Sequence, residues 1–277
     1  MGNDGFEFER PRTFEQMMEE TSRSDFAEEV EKADEERRQI RERYPREGWP
    51  EMPLEEYALG QEDKDETYCW WLEFNSPNLG SISGGSSRKH LVYNRNSEPG
   101  WYYPDEYDNV EQAWESIRAA FLRAFEFAED GELEAIDDIE ELSSAGVVTS
   151  KTITVYFPDE KLPIHSKRHL RHFLDKLELE EAYSRADGPF RLNKLLLDEL
   201  HSYPALKDWS GKELERFLYA WAHPDETSRV VKIAPGDRAK LWEDCLQNNY
   251  IRVGWDETGD LRDFESKRPF KQEFQRL

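Results

Sequence analysis

Apolar residues recur at helical spacing over several segments of the chain. The strongest pattern covers residues 109–130, where Asn109 can cap the helix and Gly131 can end it. Residues 13–44 carry a narrow apolar stripe among charged residues, which is typical of a helical arm that lies on a domain or on a partner. Further helices are predicted for residues 133–142, 166–177, 190–202 and 211–222.

Short runs of aromatic and β-branched residues predict strands between these helices. Residues 68–74, 89–93 and 101–103 are separated by segments rich in Gly, Ser, Pro and Asn, as in an antiparallel meander. Residues 147–157, VVTSKTITVYF, predict another strand. After a boundary at residues 223–225, the pattern over 229–255 predicts a strand, a helix and a second strand.

The fold class that these patterns predict is α+β. We expect a helical arm at residues 1–48 and a central domain at 49–225, in which an antiparallel sheet is packed by helices. Residues 228–277 are expected to form an incomplete β-α-β piece. Trp255 follows the last predicted strand of this piece, where it either fills a core or forms one wall of an aromatic pocket that stacks an unpaired base.

The charge balance limits the kind of partner that the chain can bind. Its 277 residues include 61 acids and 37 bases, a formal net charge of −24. Such an excess is typical of adaptation to high salt, as in halophilic proteins, or of a generic acidic, solvating surface. It argues against coating nucleic acid with bulk positive charge but leaves room for a small basic site. Because no membrane span and no secretion signal are evident, a cytoplasmic location is predicted.

One segment departs from this acidity. Residues 161–174, called here the basic segment, contain Lys161, Lys167, Arg168 and Arg171 and no acid. Ser166 can cap a helix there, and a helix N-terminus favours anions. Lys167, Arg168 and Arg171 are therefore predicted to bind phosphate groups. The alternative is a solvated helix face that balances neighbouring acids.

Other candidate motifs do not assemble into a catalytic or metal site. The loop with Gly84 and Gly85 leads into a predicted strand rather than a helix, so it does not match a nucleotide-binding P-loop. The histidines of the basic segment lack a complete set of four metal ligands. An acid–x–Lys set, Asp159 to Lys161, is the sole basis for a third hypothesis, a metal-dependent nuclease, but such sets arise by chance in so acidic a chain. We therefore expect no catalytic residues, no metal and no cofactor.

Two stretches resemble a known family. KIAPGDRAKLWEDCLQNNYIRVGWDETGDL (232–261) resembles the opening β-α-β of the EVE-type, PUA-like module of McrB-like restriction ATPases. YALG (57–60), CWWLEF (69–74), LGSISGGSSRK (79–89) and FPDEKLPIHSKRHLRHFL (157–174) resemble the region that precedes that module. The resemblance implies a modified-base-sensing, DNA-binding part of an antiviral restriction system. It further implies base-binding residues at Trp255, Trp242 and Ala234, and an AAA-type ATPase and a nuclease as partner subunits, because neither enzyme is encoded here.

The resemblance also implies that the module is incomplete. Residues 262–277 are too few for the remaining barrel strands, so we expect either a truncated chain or a continuation in a downstream reading frame. A hypothesis of another class stays open beside DNA recognition. It is a scaffold that docks partner subunits through the 13–44 helix and the Gly84-Gly85 loop, with no nucleic-acid contact.

Overall fold

The structure, a computed structural model, describes residues 12–60, 66–95, 100–225 and 242–247, and all structural statements refer to these residues. The chain divides into two compact units, residues 1–226 and 227–277. In the second unit the structure describes a helix, α10 (Trp242–Gln247). The strands predicted at 229–233 and 250–255, with Ala234 and Trp255, lie outside the described residues.

The described part of the first unit is mostly helical with a small antiparallel sheet. Its helices are α1 (Phe14–Glu20), α2 (Ala27–Arg43), α3 (Leu54–Tyr57), α4 (Tyr68–Phe74), α5 (Val110–Glu129), α6 (Gly146–Tyr156), α7 (Lys167–Lys176), α8 (Pro189–Ser202) and α9 (Gly211–Trp221). The sheet pairs β1 (Tyr93–Asn94) with β2 (Trp101–Tyr102). The α+β prediction is confirmed in this loose sense, but in the described residues the sheet is far smaller than the predicted meander.

The N-terminal segment packs against its own chain. Thr13 and Gln16 form the capping box of α1, with reciprocal hydrogen bonds of 3.2 and 3.0 Å. Phe14 of α1 is buried among aromatic residues from the later helices, with its ring centroid 5.5 Å from that of Phe217. Ile40 of α2 is buried in a different cluster of the same unit. The apolar stripe of residues 13–44 is therefore covered by this chain itself.

Two hydrophobic cores result. The first is centred on Trp49, which is fully buried and contacts aromatic rings from α3, α4, α5 and α6. Its indole Nε1 donates to the hydroxyl of Tyr156 over 2.9 Å, so the buried polar atom is satisfied. The second core lies among α1, α7, α8 and α9. Helix α8 joins the two, because Phe190 packs in the first and Leu192 in the second.

Two predicted strands are wrong, since both segments are helices. Residues 68–74 form α4, whose N-terminus is capped by the hydroxyl of Thr67. Residues 147–157 lie almost wholly within α6, where every side chain from Val148 to Val155 is buried. A helix that is buried all round shows no polar face, so its period cannot be read from the sequence, and its β-branched residues imitate a strand.

The other predicted helices and strands are confirmed in part. The helix at 109–130 is confirmed as α5, with the side chain of Asn109 accepting from the Gln112 amide at 2.9 Å. Residues 101–103 contain β2, but 89–93 hold mostly a 3-10 turn, Ser87–His90, and only the start of β1. The acidic helix at 133–142 is also replaced by 3-10 turns, Leu133–Asp138 and Glu140–Ala145. None of the helices in the part of the chain that the structure describes has both the length and the apolar character needed to cross a bilayer.

Candidate functional site

Three helices of the first unit begin at one cavity of about 1030 Å³. The first residues of α6, α7 and α8, which are Gly146, Lys167 and Pro189, all line it. The N-terminus of a helix carries partial positive charge and backbone N–H donors. The backbone therefore biases this cavity toward anions, independently of the side chains around it.

Two of these N-termini are capped by side chains of this chain. The hydroxyl of Ser166 accepts from the amide of His169 at the start of α7, which confirms the predicted cap. At α8 the carboxylate of Asp137 accepts from the amides of Phe190 (3.2 Å) and Arg191 (2.9 Å). Burial raises the pKa of Asp137, and these two hydrogen bonds oppose that rise. The N-terminus of α8 thus already holds an internal carboxylate.

The approach of Asp137 depends on a glycine. A Cβ atom on Gly188 would lie 2.0 Å from Cγ of Asp137, which is an impossible contact. The absence of a side chain at the N-cap of α8 therefore makes room for a carboxylate from a distant turn.

Replacing Asp137 with alanine is expected to lower the free energy of unfolding by about 1–2 kcal/mol, because two amides lose their acceptor. The matched control is Asp138→Ala, which removes a neighbouring exposed carboxylate. Urea denaturation followed by circular dichroism measures both. Equal effects of the two substitutions would show that Asp137 acts only through its charge.

The structure brings together two of the three predicted phosphate-binding residues. Lys167 and Arg168 both line the cavity, and Arg168 also donates to the carboxylate of Asp225 over 2.6 Å. Arg171 does not line it, because its guanidinium donates to the carbonyl oxygen of Arg185 over 2.7 Å. Arg191, which sequence reasoning missed, lines the cavity from α8.

The cavity is of mixed charge. Besides its bases it is lined by four acids, which are Glu134, Asp137, Asp138 and Asp187. Asp137 caps α8, and Asp187 lies 3.4 Å from the guanidinium of Arg191. The hydroxyl oxygen of Thr149, a buried residue that also lines the cavity, has no hydrogen-bond partner among the described residues. The cavity can therefore accept one phosphate group near the starts of α6 and α7, rather than anions along its whole lining.

A buried histidine separates this cavity from a smaller one of about 320 Å³. His165 lines both, and burial holds its pKa well below the ordinary value, so the ring is neutral. A carbonyl can only accept, so Nε2 donates to Leu79 O (2.8 Å). Nδ1 then accepts from the Ser150 hydroxyl (2.9 Å). Both ring nitrogens are thus occupied inside the protein.

The histidines of the basic segment do not converge on a shared point. His169 contacts the hydroxyl of Tyr219 through Nδ1 (2.6 Å), and His172 contacts the carbonyl of Ala222 through Nε2 (2.9 Å). Within the ranges that the structure covers, no group of three or more His, Cys, Asp or Glu side chains is arranged to hold a metal ion.

Lys161, the first base of the basic segment, lies inside the protein. Its ammonium donates to the hydroxyl of Thr154 (3.0 Å) and to the carbonyl of Leu162 (2.7 Å), and burial lowers its pKa to about 7. Lys151 of α6 is equally buried, donates to the carbonyl of Ser76 (2.7 Å), and also has its pKa lowered by burial to about 7. Because Asp159 is exposed, the acid–x–Lys set does not form a common site.

The predicted base-binding residues belong to the second unit. Trp242 lies at the start of α10 and is 53% exposed. Trp255 and Ala234 lie outside the described residues, so the structure does not place them. A protein family described as a domain of unknown function, DUF8426, matches residues 231–277. No curated protein and no solved structure matches the chain.

Proposed function

We propose that this chain is the DNA-binding, target-recognition part of a McrB-like restriction system, acting together with separate motor and nuclease subunits. The observation that carries the proposal is the cavity at the N-termini of α6, α7 and α8, with Lys167 and Arg168 at its lining in a segment free of acids. A backbone phosphate bound there would meet helix dipoles and two cations. The proposal assigns recognition to this chain, and the chemistry to its partners.

The second unit has its own place in this proposal. Residues 228–277 form the start of an EVE-type, PUA-like module, in which Trp255 stacks a modified base, and Trp242 and the backbone of Ala234 lie near it. The family match to residues 231–277 supports treating this stretch as a separate module, while its description says nothing of a ligand. The exposure of Trp242 is compatible with a binding role, since an indole face must be accessible to stack on a base.

The double variant Lys167→Glu with Arg168→Glu tests the phosphate contact. We expect weaker binding to every duplex sequence, and a slope of log affinity against log salt that is reduced by about two, because phosphate contacts carry no sequence information. Arg171 is left unchanged, since its guanidinium holds the carbonyl of Arg185 within the protein. Gel-shift titrations of methylated and plain duplexes over a salt series measure both quantities.

The matched control is Lys32→Glu with Arg38→Glu on α2. The change in net charge is the same, because one lysine and one arginine become glutamate in both double variants. Lys32 and Arg38 are exposed, and each is paired with an acid, as Arg168 is. The proposal is wrong if the control weakens DNA binding as much as the test variant, or if the test variant binds like the unchanged protein.

A second candidate function, a scaffold without nucleic-acid contact, is favoured by one surface. Phe74 on α4 is 54% exposed, and the ring of Trp70 lies 6.1 Å from it and is itself only partly buried. Exposed aromatic clusters of this kind are common at protein interfaces. The 13–44 segment is not available for the same purpose, because its own chain covers its apolar residues. Failure of every DNA-binding assay would leave this candidate.

A further inference from the structure

A second basic and aromatic surface lies at the β1–β2 sheet and includes none of the residues that line the cavity. It consists of Arg88, Tyr93, Arg95 and Tyr102 and is called here the Arg-Tyr surface. The rings of Tyr93 and Tyr102 stack with centroids 4.8 Å apart and an interplanar angle of 24°. The guanidinium carbons of Arg88 and Arg95 lie 5.3 and 5.7 Å from the centroid of Tyr102. Both arginines are exposed, and both tyrosines are partly exposed.

The register of the strands fixes the stack. Tyr93 is directly opposite Tyr102, and the amide of Asn94 donates to the carbonyl of Leu59 over 2.8 Å, which ties β1 to the body of the unit. Gly60 permits this close approach, because a Cβ atom there would lie 2.2 Å from the carbonyl oxygen of Asn94. The two tyrosines are thus held in place before any partner arrives, which lowers the entropic cost of binding.

A buried ion pair anchors the turn that carries Arg88. The ammonium of Lys89 donates to Glu73 Oε1 (2.6 Å) and to the carbonyls of Ile82 (2.6 Å) and Gly84 (2.8 Å). His90 contacts the second oxygen of Glu73 over 2.7 Å. The ammonium of Lys89 therefore bonds to groups within the protein. Its neighbour Arg88 has no ion pair within the described residues and is exposed on the surface.

The backbone between Arg88 and Tyr93 is strained. Leu91 has φ 66° and ψ −49°, and the amide of Val92 donates to the carbonyl of His90 over 2.8 Å. These values describe a γ-turn of the rare, strained kind. Because Leu91 and Val92 are buried, packing holds the turn in this conformation. The strain brings a guanidinium from the 3-10 turn over a ring of the sheet, and backbone strain of this kind clusters at functional sites.

The sequence around Arg88 indicates what kind of ligand the Arg-Tyr surface binds. Residues 74–97 contain no Asp or Glu, although the whole chain has 61 acids. A surface that offers guanidinium groups and π-faces together, in a stretch of sequence free of acids, suits a chain of phosphates and bases. We propose that the Arg-Tyr surface binds single-stranded nucleic acid, with a phosphate contacted by Arg88 and bases stacked on the tyrosine and guanidinium planes.

This inference deepens the proposed function, because it gives the chain a contact for unpaired nucleotides in addition to the duplex contact at Lys167 and Arg168. The two contacts are separable. The duplex contact depends on α7, whereas the single-strand contact depends on the 3-10 turn and the two strands. Their failures are therefore distinguishable by using both kinds of DNA with both sets of variants.

The experiment measures fluorescence anisotropy of a labelled oligothymidine of about 12 nucleotides, which cannot form a duplex with itself. Tyr102→Leu is expected to weaken binding about tenfold or more, because it removes the ring on which the other groups stack. Arg88→Gln is expected to weaken it severalfold and to reduce the salt slope by about 0.7, the value for one phosphate of a single strand. Duplex binding should change little in either variant.

The matched control is Arg46→Gln. Arg46 also lies over an aromatic ring, 5.4 Å from the centroid of Phe157, but outside the Arg-Tyr surface. Polyglutamate serves as a competitor that has charge without bases. The inference is overturned if the unchanged protein does not bind oligothymidine, if Arg46→Gln weakens binding as much as Arg88→Gln, or if Tyr102→Leu leaves the affinity unchanged. Equal competition by polyglutamate and unlabelled oligothymidine would also overturn it.

Discussion

Lys161→Met is expected to stabilise the protein at pH 7, with a gain on the order of 4 kcal/mol as an upper bound. The reason is that burial lowers the pKa of Lys161 from 10.5 to about 7, so folding at neutral pH either buries a charge or releases a proton. Methionine fills a similar volume without this cost. The expected gain is unusual, since most substitutions of buried residues destabilise.

The hydrogen bonds around Lys161 explain why its loss leaves little unsatisfied. Thr154, one of its two acceptors, also donates to the carbonyl of Ser150 over 3.1 Å. The carbonyl of Leu162, the other acceptor, also receives a hydrogen bond of 2.9 Å from the side-chain amide of Asn193. Both groups keep a partner when the ammonium is removed. Lys151 is a poorer choice, because the other donor to its acceptor, the carbonyl of Ser76, is the backbone amide of Leu79 at a longer distance of 3.3 Å.

The stability difference between Lys161→Met and the unchanged protein is expected to depend on pH. Between pH 7 and 10.5 the unfolded chain holds the proton on residue 161 and the folded chain does not, so the stability of the unchanged protein rises with pH. Below pH 7 both states are protonated, and the full cost of burying the charge is present. The advantage of Lys161→Met should therefore be largest below about pH 7 and shrink as the pH approaches 10.5.

Urea denaturation at a series of pH values, at constant salt, measures this difference. Lys194→Met is the control, because it replaces a partly exposed lysine of α8, next to Asp198, by the same residue. A Lys161→Met variant that is less stable than the unchanged protein at pH 6 would show that the ammonium makes a net contribution to folding.

Gly80→Ala is expected to destabilise the first unit by about 3 kcal/mol or more. Gly80 has φ +90°, which L-residues rarely adopt. A Cβ atom there would also lie 2.5 Å from the carbonyl oxygen of Pro163 and 2.7 Å from Nε2 of His165. The methyl group would push apart the hydrogen bond between His165 and Leu79, which fixes the tautomer of the ring.

Gly84→Ala separates the cost of a positive φ from the cost of the steric contact. Gly84 has nearly the same φ, +85°, but a Cβ atom there meets nothing within 4 Å. We expect it to cost only the backbone strain, about 1 kcal/mol. The difference between the two variants in urea denaturation isolates the contact with Pro163 and His165. Equal losses would mean that the loop moves to accommodate the methyl group.

Local signals explain which parts of the fold the sequence predicts. The starts of α5 and α7 are predicted correctly because Asn109 and Ser166 bond to amides three residues ahead. Helices α4 and α6 are not, because tertiary burial overrides the β-propensity of their aromatic and β-branched residues. Gly84 and Gly85 have positive φ, as turn residues often do, but 3-10 turns rather than the predicted strands flank them.

In the candidate site, too, local sequence predicts some residues and only tertiary packing reveals others. Lys167 and Arg168 are predictable because a run of bases without acids stands out in so acidic a chain. Asp137 reaches the start of α8 across 53 positions of sequence, and only the packed structure reveals this pairing. Lys161 belongs to the same run of bases but is buried, and counting charges along the chain cannot tell a surface base from a buried one.

The position of the N-terminal segment has a consequence for how the protein is made. The guanidinium of Arg23 donates to Glu213 over 2.8 Å, across 190 positions of sequence, and Phe14 packs against Phe217 in the same region. A ribosome must therefore release nearly the whole first unit before α1 finds its partners. Until then Phe14 and Met17 stay uncovered on the nascent chain, which makes this segment a natural target for chaperones during synthesis.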